Sequence, residues 1–345
     1  MTGRHRCARR TPFPRRVTRR PPARRGLALL GALWLVLLIA TVGTQFALAA
    51  QARRQLGLSA ADRARDEAVL SGALAQFVAR LETEERLARV ARARSGAADD
   101  AGGAADAAWR DPWATLSAQF SDGLMVGDTP VDVSVLDLGT VRSVNLLGEV
   151  QLAALFAAVL RDALAGRALA QAVLDWRDQD TLPRALGGEA AAYARADLLA
   201  RPLNGSLRDL DDLRDVIGMT PERVDALRPY LTTVGGNPRV NLNAAPEPVL
   251  RTLPGVTEVL LRQILALRSG GRRIESVPAL VAAAGASGPV GATLERQLSN
   301  TITLETRDVL VTFTTRAASP GPPARLWAVV HRLPDGQVRV SEQRW

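Results

Sequence analysis

Lysine is missing from this sequence altogether, so all 44 basic residues are arginine. With the heavy alanine content, this reads as compositional bias rather than recognition chemistry. Cysteine occurs once, at Cys7 near the N-terminus. The remainder therefore forms no internal disulfide and no thiolate metal site, although a domain of this size needs no disulfides to be stable in an oxidising compartment. Histidine is nearly as scarce. Beyond the first residues the only imidazole is His331, in a segment that reads as a strand, and a Ser-His-Asp triad would have to use it. No serine stands in a Gly-x-Ser-x-Gly turn. The sequence thus reads as that of a protein without catalytic activity.

Acidic residues are absent from positions 1–26, which hold ten arginines. The formal charge of +9 falls to −1 once those ten are set aside, so the body is electrically balanced. A neutral body offers few phosphate contacts, which argues against nucleic acid as its partner. Residues 27–50 then carry no charge over 24 positions. As a helix this run spans about 36 Å, enough for a bilayer core of about 30 Å. The arginines before it place the N-terminus in the cytoplasm and the bulk across the membrane. Three processing schemes compete. A secretory signal would be cut after Ala47-Leu48-Ala49, but the apolar run exceeds an ordinary signal core. Arg24-Arg25 suits twin-arginine export only in part. A cut between Gly26 and Leu27 resembles the leader of type IV prepilins and keeps the helix in the mature protein.

Residues 51–94 continue a helical rhythm, with Leu70, Leu74, Phe77, Leu81, Leu87 and Val90 at three- and four-residue steps. The segment 95–108 is small, polar and aperiodic, and reads as a flexible loop. Val131, Val133 and Val135 alternate with polar residues as in a strand, and 141–146 reads as another. Near the C-terminus 301–305, 309–315, 326–332 and 338–343 read as strands, with Pro334-Asp335-Gly336 as a turn. The domain reading is a β part at 109–146, an α-helical insertion at 147–295 and closing strands at 296–345. That is an α+β class: a long N-terminal helix on a small antiparallel sheet, with a large helical domain inserted. Inside the insertion, Leu213 to Thr220 matches Leu250 to Thr257, each with a turn glycine, Gly218 or Gly255. These read as tandem helix-hairpin-helix-like units. The alternative function they suggest is a membrane-tethered DNA-binding protein, but Thr220 and Thr257 replace the second glycine and Glu222 and Glu258 follow.

Together the leader ending at Gly26, Val144-Asn145-Leu146, Asp175-Trp176-Arg177-Asp178-Gln179-Asp180, Tyr193, Asn241-Leu242-Asn243-Ala244-Ala245-Pro246 and the terminal Trp345 resemble the type II secretion minor pseudopilins of the general secretion pathway protein K family. The fifth residue of the mature chain, Gly31, stands where most pilins carry Glu, and this class lacks that Glu. The resemblance implies a pilin-like sheet with an inserted α domain and a place at the pseudopilus tip, in support of protein export. It implies an inner-membrane protein with a periplasmic domain. Its implied partners are the I, J and H minor pseudopilins, the major pseudopilin, the prepilin peptidase and the inner-membrane secretion platform.

Asp175, Asp178, Asp180 and Glu189 form the best set of hard oxygen ligands. Asp178, Asp180 and Glu189 fall at positions 1, 3 and 12 of an EF-hand count, but Leu182 and Pro183 break that loop. Members of the resembled family can bind calcium in the inserted domain, which makes an irregular calcium site here the metal reading. The competing reading is helix capping and pairing with Arg177 or Arg184. Asn241 and Asn243 read as architectural turn residues before a helix at Glu247.

Overall fold

The computed structural model describes residues 25–99, 111–236, 238–316 and 323–344. Positions 1–24 of the leader, positions 100–108 of the expected loop and Trp345 lie outside the described residues. The chain divides into two compact units, Met1–Asp62 and Arg63–Trp345. In the first, Leu30–Leu48 is a 19-residue apolar helical span. Its large side chains, from Leu30 to Leu48, are all exposed. By length and composition this span is long and apolar enough to cross a membrane.

Helix α1 is Arg25–Asp99. It thus runs through 95–99, where a loop was expected, because Ala97 and Ala98 are strong helix formers. In the second unit its residues Leu70, Ala73, Leu74, Phe77 and Leu81 face a five-stranded antiparallel sheet. Phe77 packs edge-on against Phe313, with centroids 5.8 Å apart. Leu87 and Val90 continue the rhythm but are exposed, so periodicity alone overestimates the covered length.

The strands are β1 (Leu124–Val126), β2 (Thr129–Asp137), β3 (Arg142–Ser143), β4 (Leu231–Thr232), β5 (Val240–Asn241), β6 (Ile302–Thr303), β7 (Asp308–Thr315), β8 (Arg325–Arg332) and β9 (Val338–Arg344). The main sheet runs β1-β2-β7-β8-β9. Alternation decides its faces. Val131, Val309, Val311, Phe313, Leu326, Ala328 and Val330 lie towards α1, while Leu138, Val141 and Val329 form a smaller cluster on the other side. The segment around helix α2 (Leu116–Gln119) adds Trp113, Leu116 and Phe120 to the α1 side.

Everything between β2 and β7 is an insertion with its own core. It holds α3 (Glu149–Leu160), α4 (Ala163–Arg177), α5 (Ala190–Arg195), α6 (Pro221–Leu227), α7 (Glu247–Leu250), α8 (Glu258–Ser269), α9 (Val277–Ala283) and α10 (Gly288–Thr301). Gly166 lets α4 approach α3 closely, since a Cβ there would lie 2.6 Å from the Ala157 nitrogen. The expected strands 141–146 and 301–305 shrink to β3 and β6, and Thr301 ends α10. Neither joins the main sheet: β3 pairs in parallel with β4, and β5 with β6.

These two short ladders mark two similar halves. After β3, Asn145 clasps the main chain of Leu207, donating to its oxygen and accepting from its nitrogen at 2.9 Å each. After β5, Asn243 clasps Ile274 in the same way, at 2.9 and 2.8 Å. The turn glycines Gly218 and Gly255 both have φ 83°, and a third, unexpected turn at Gly285 has φ 80°. Gly218 follows Leu207 at the spacing with which Gly285 follows Ile274, so it corresponds to Gly285 rather than to Gly255. The segments leading into the two expected units are a six-residue 3-10 helix, Leu210–Asp215, and the four-residue α7. Glu222 and Glu258 occupy the first turns of α6 and α8, where a phosphate would otherwise dock.

Candidate functional site

The C-terminal end of α4 and the N-terminus of α5 frame an acidic loop. Asp175 is fully buried on α4. Its carboxylate accepts from the Arg184 main-chain nitrogen at 3.0 Å and from the Arg184 guanidinium at 2.5 Å. Gln171, one turn earlier, accepts from the Leu186 nitrogen at 2.7 Å. Gly187 is required here, because a Cβ would stand 2.1 Å from the Asp175 carboxylate. Asp175 is thus committed to docking the loop and is not one of the gathered oxygens.

Asp178, Asp180 and Glu189 are gathered, with one carboxylate oxygen from each within 4.8 Å of the others. Oxygens bound to one calcium at about 2.3–2.6 Å are separated by no more than about 5 Å. Asp178 caps α4 and pairs with Arg184 at 2.6 Å through one oxygen. Its other oxygen, and Oε1 of the buried Glu189, have no hydrogen-bond partner. Asp180 accepts from the Leu182 nitrogen at 2.8 Å. Burial pushes the Glu189 carboxyl above its usual 4.5, and the charges of Asp175, Asp178 and Asp180 push it further. Arg177 donates to the carbonyls of Val144 and Leu147. Four carboxylates against Arg177 and Arg184 leave two negative charges, the complement of a divalent cation. Two orphaned carboxylate oxygens among three gathered carboxylates fit a hard oxygen-liganded ion.

A second polar centre joins the insertion to the sheet, and no spacing in the sequence announced it. Arg332 on β8 pairs with Glu85 of α1 at 2.6 Å, with Asp111 at 2.9 Å and with Glu305 at 3.4 Å. Asp111 also accepts from the Thr306 nitrogen at 2.6 Å. The Thr306 hydroxyl and the Asn241 amide both donate to Asp137 at the end of β2, at 2.8 and 3.1 Å. Burial raises the Asp137 carboxyl above the usual range against these hydrogen bonds. Asn241 therefore ties the second half of the insertion to the strand from which the insertion leaves, and Asn243 adds a bond to the Leu304 carbonyl at 2.9 Å.

Of the processing residues, Gly26 and Leu27 lie in the first turn of α1. A Cβ at Gly31 would meet nothing within 4 Å. Across the outer sheet face, His331 contacts Asp308 and Ser341 at 2.6 Å each. A register shift opposite Val329 and Val330 leaves Ser341 as the extra residue of a bulge, which turns it towards His331. Ser341 lies within an edge strand and not on the strand-to-helix elbow of a serine hydrolase.

No curated protein sequence matches the chain. A chain in the crystal structure of the GspK-GspI-GspJ complex from the enterotoxigenic Escherichia coli type 2 secretion system is similar in structure. It shares 16% identity, with 64% of this chain and 81% of that chain covered at a TM-score of 0.46. Residues 135–236 match the family described as type II secretion system (T2SS), protein K. That interval begins in β2 and ends just after β4, so it takes in the first half of the insertion with its clasp at Asn145 and its acidic loop. The likeness to protein K of the type II secretion system thus rests on residues 135–236, less than half of the chain.

Proposed function

We propose that this chain is a minor pseudopilin that stands at the tip of a periplasmic pseudopilus, capping or initiating it with I- and J-class subunits. The observation that carries this reading is the match to protein K over 135–236 in a domain inserted between β2 and β7. The apolar span after ten arginines supports an inner-membrane anchor with a cytoplasmic N-terminus. The H-class subunit, the major pseudopilin, the prepilin peptidase and the inner-membrane platform are its further partners. Gly31 supports the tip position. The chain leaves room for a side chain there, so the missing carboxylate reflects what lies next to the subunit in the filament. A subunit without it cannot neutralise a buried amino terminus above it. The full chain co-expressed with I- and J-class pseudopilins of the same cell should co-purify with both in detergent. Recovery of an I–J complex that excludes it would overturn the reading. Mass spectrometry of the mature chain should find Leu27 at the N-terminus, and a start at Ala50 would remove the stem and the proposal with it.

The acidic loop is read as a calcium site in which Asp178, Asp180 and Glu189 hold the ion and Asp175 and Arg184 position the loop. Calcium at a hundred times its Kd should stabilise the chain by about 2.7 kcal/mol, seen as a rise in Tm that a chelator reverses. Asp178→Ala should abolish that response, and an unchanged response would refute the assignment. The pH dependence has a definite sign. Without calcium, stability should rise as pH falls from the raised folded value of Glu189 towards 4.5, because protonation relieves the repulsion among the carboxylates. With calcium, the same protonation releases the ion, so the calcium-dependent rise in Tm should shrink over that interval.

A further inference from the structure

Beside the acidic loop the chain makes a second excursion, between α5 and the buried Leu207, and this one is apolar. Two residues in the left-handed region bracket it, Asp197 at φ 54° and Asn204 at φ 51°. Asp and Asn adopt that conformation more readily than other side chains, so the reversal at each end of residues 198–203 is written in the sequence. Both ends are tied to one buried aromatic pair. The Tyr193 carbonyl accepts from the Leu198 nitrogen and the Trp176 carbonyl from the Asn204 nitrogen, at 3.0 Å each, and the two rings lie 5.7 Å apart. The segment between is therefore pinned at its base and projects outward, in the manner of a small Ω-loop.

What it projects is leucine. Leu199 is 102% exposed, and Leu198 and Leu203 are each more than two fifths exposed. The neighbouring acidic loop, hung from the same end of α4, adds Leu182 at 75% and Leu186. Single exposed leucines are ordinary, but five within residues 182–203 are not. Residues 178–203 expose no aromatic ring, since Tyr193 is buried. Protein interfaces are anchored mainly by Trp, Tyr and Arg, with leucine under-represented, whereas acyl chains close readily around a projecting leucine. Arg195 and Arg201 are exposed on either side of Leu198 and Leu199, placed to keep their charges among lipid headgroups. Residues 175–203 carry five carboxylates against four arginines, a net charge of −1. One calcium ion in the acidic loop changes this to +1, which reverses the sign presented to an anionic surface.

We infer that the loop of residues 198–203, beside a calcium-loaded acidic site, inserts its leucines into the surface of a bilayer that carries anionic headgroups. This rests on the calcium reading of that site. Cys7 is the only cysteine and Ala196 is exposed, so the full chain with Cys7→Ser and Ala196→Cys takes one nitrobenzoxadiazole label beside the loop. The labelled chain is held by its anchor in phosphatidylcholine nanodiscs. Vesicles of phosphatidylglycerol and phosphatidylcholine in equal parts, with nitroxide on their acyl chains, should quench the label saturably in calcium and not in chelator. Leu199→Ser should weaken this binding about tenfold or more, the loss expected when one leucine leaves acyl chains for water. Leu164→Ser, at a site 71% exposed at the opposite end of α4, should change it less than about twofold. Neither substitution should move the Tm without vesicles, because both side chains are exposed. A calcium-dependent rise in Tm without quenching would overturn this inference alone, and absence of that rise would overturn the calcium site and this inference together. Equal losses in the two variants, or an equal response to vesicles of phosphatidylcholine alone, would also overturn it. An emission change that grows with chain concentration before vesicles are added would make a second copy the occupant and overturn the bilayer assignment.

Discussion

Arg332→Met should lower the stability of the folded chain by about 3–5 kcal/mol, the usual consequence of removing one partner from a buried ion pair. The Arg332 side chain is 6% exposed and that of Asp111 3%, so little water can replace what is lost. Met fills the volume but leaves carboxylates from α1 and from the segment before α2 facing one another. Glu305→Gln should cost far less, since Glu305 lies 3.4 Å away with about a third of its side chain in water. Urea unfolding of the detergent-solubilised chain, followed by tryptophan emission, measures both, and Trp113 is well placed as a reporter with its ring 5.8 Å from the Arg332 guanidinium. A loss under about 1 kcal/mol for Arg332→Met, the range of a surface ion pair, would mean that the centre is hydrated and not structural.

Asn243→Ala should be the second large effect, about 2 kcal/mol or more, because it strands two main-chain groups at about 1 kcal/mol or more each. These are the nitrogen and oxygen of Ile274, whereas the Leu304 oxygen keeps its bond from Arg273 at 2.8 Å. Asn145→Ala likewise strands the two groups of Leu207 and should cost about 2 kcal/mol. Asn243→Asp separates geometry from packing. It keeps the shape and the acceptor for the Ile274 nitrogen but turns a donor to two carbonyls into a second acceptor. Asn243→Asp should therefore be at least as damaging as Asn243→Ala in the same urea titration. Wild-type stability in Asn243→Asp would show that the clasp contributes nothing.

The elements that the sequence made legible are those whose signal is local. Alternating valines at 131, 133 and 135 pair through β2 with β7, and Pro334-Asp335-Gly336 turns the chain between β8 and β9. Leu70, Leu74, Phe77 and Leu81 mark the covered face of α1, whereas Leu87 and Val90 carry the same rhythm without cover. The acidic trio was legible because its members lie within a dozen positions, but the diversion of Asp175 to Arg184 and Gly187 was not. The centre at Arg332 was invisible for the opposite reason. Its partners lie up to hundreds of positions away, and only the sheet brings them together. The third glycine turn escaped because Ala284-Gly285-Ala286-Ser287 shares little with its counterparts beyond the glycine and a hydroxyl residue.

The last registered pair of β2 and β7 is Asp137 with Val309, neighbouring strands of an ordinary antiparallel hairpin. The insertion therefore takes the place of a hairpin turn, with its halves drawn shut by the β3–β4 and β5–β6 ladders. Mechanically, such a domain is a pendant. Tension between α1 and the strands of the sheet runs through Arg332, Glu85 and the β2–β7 ladder, and reaches the interior of the insertion only after those have parted. A subunit built this way can bear load through the sheet while the inserted domain keeps its shape.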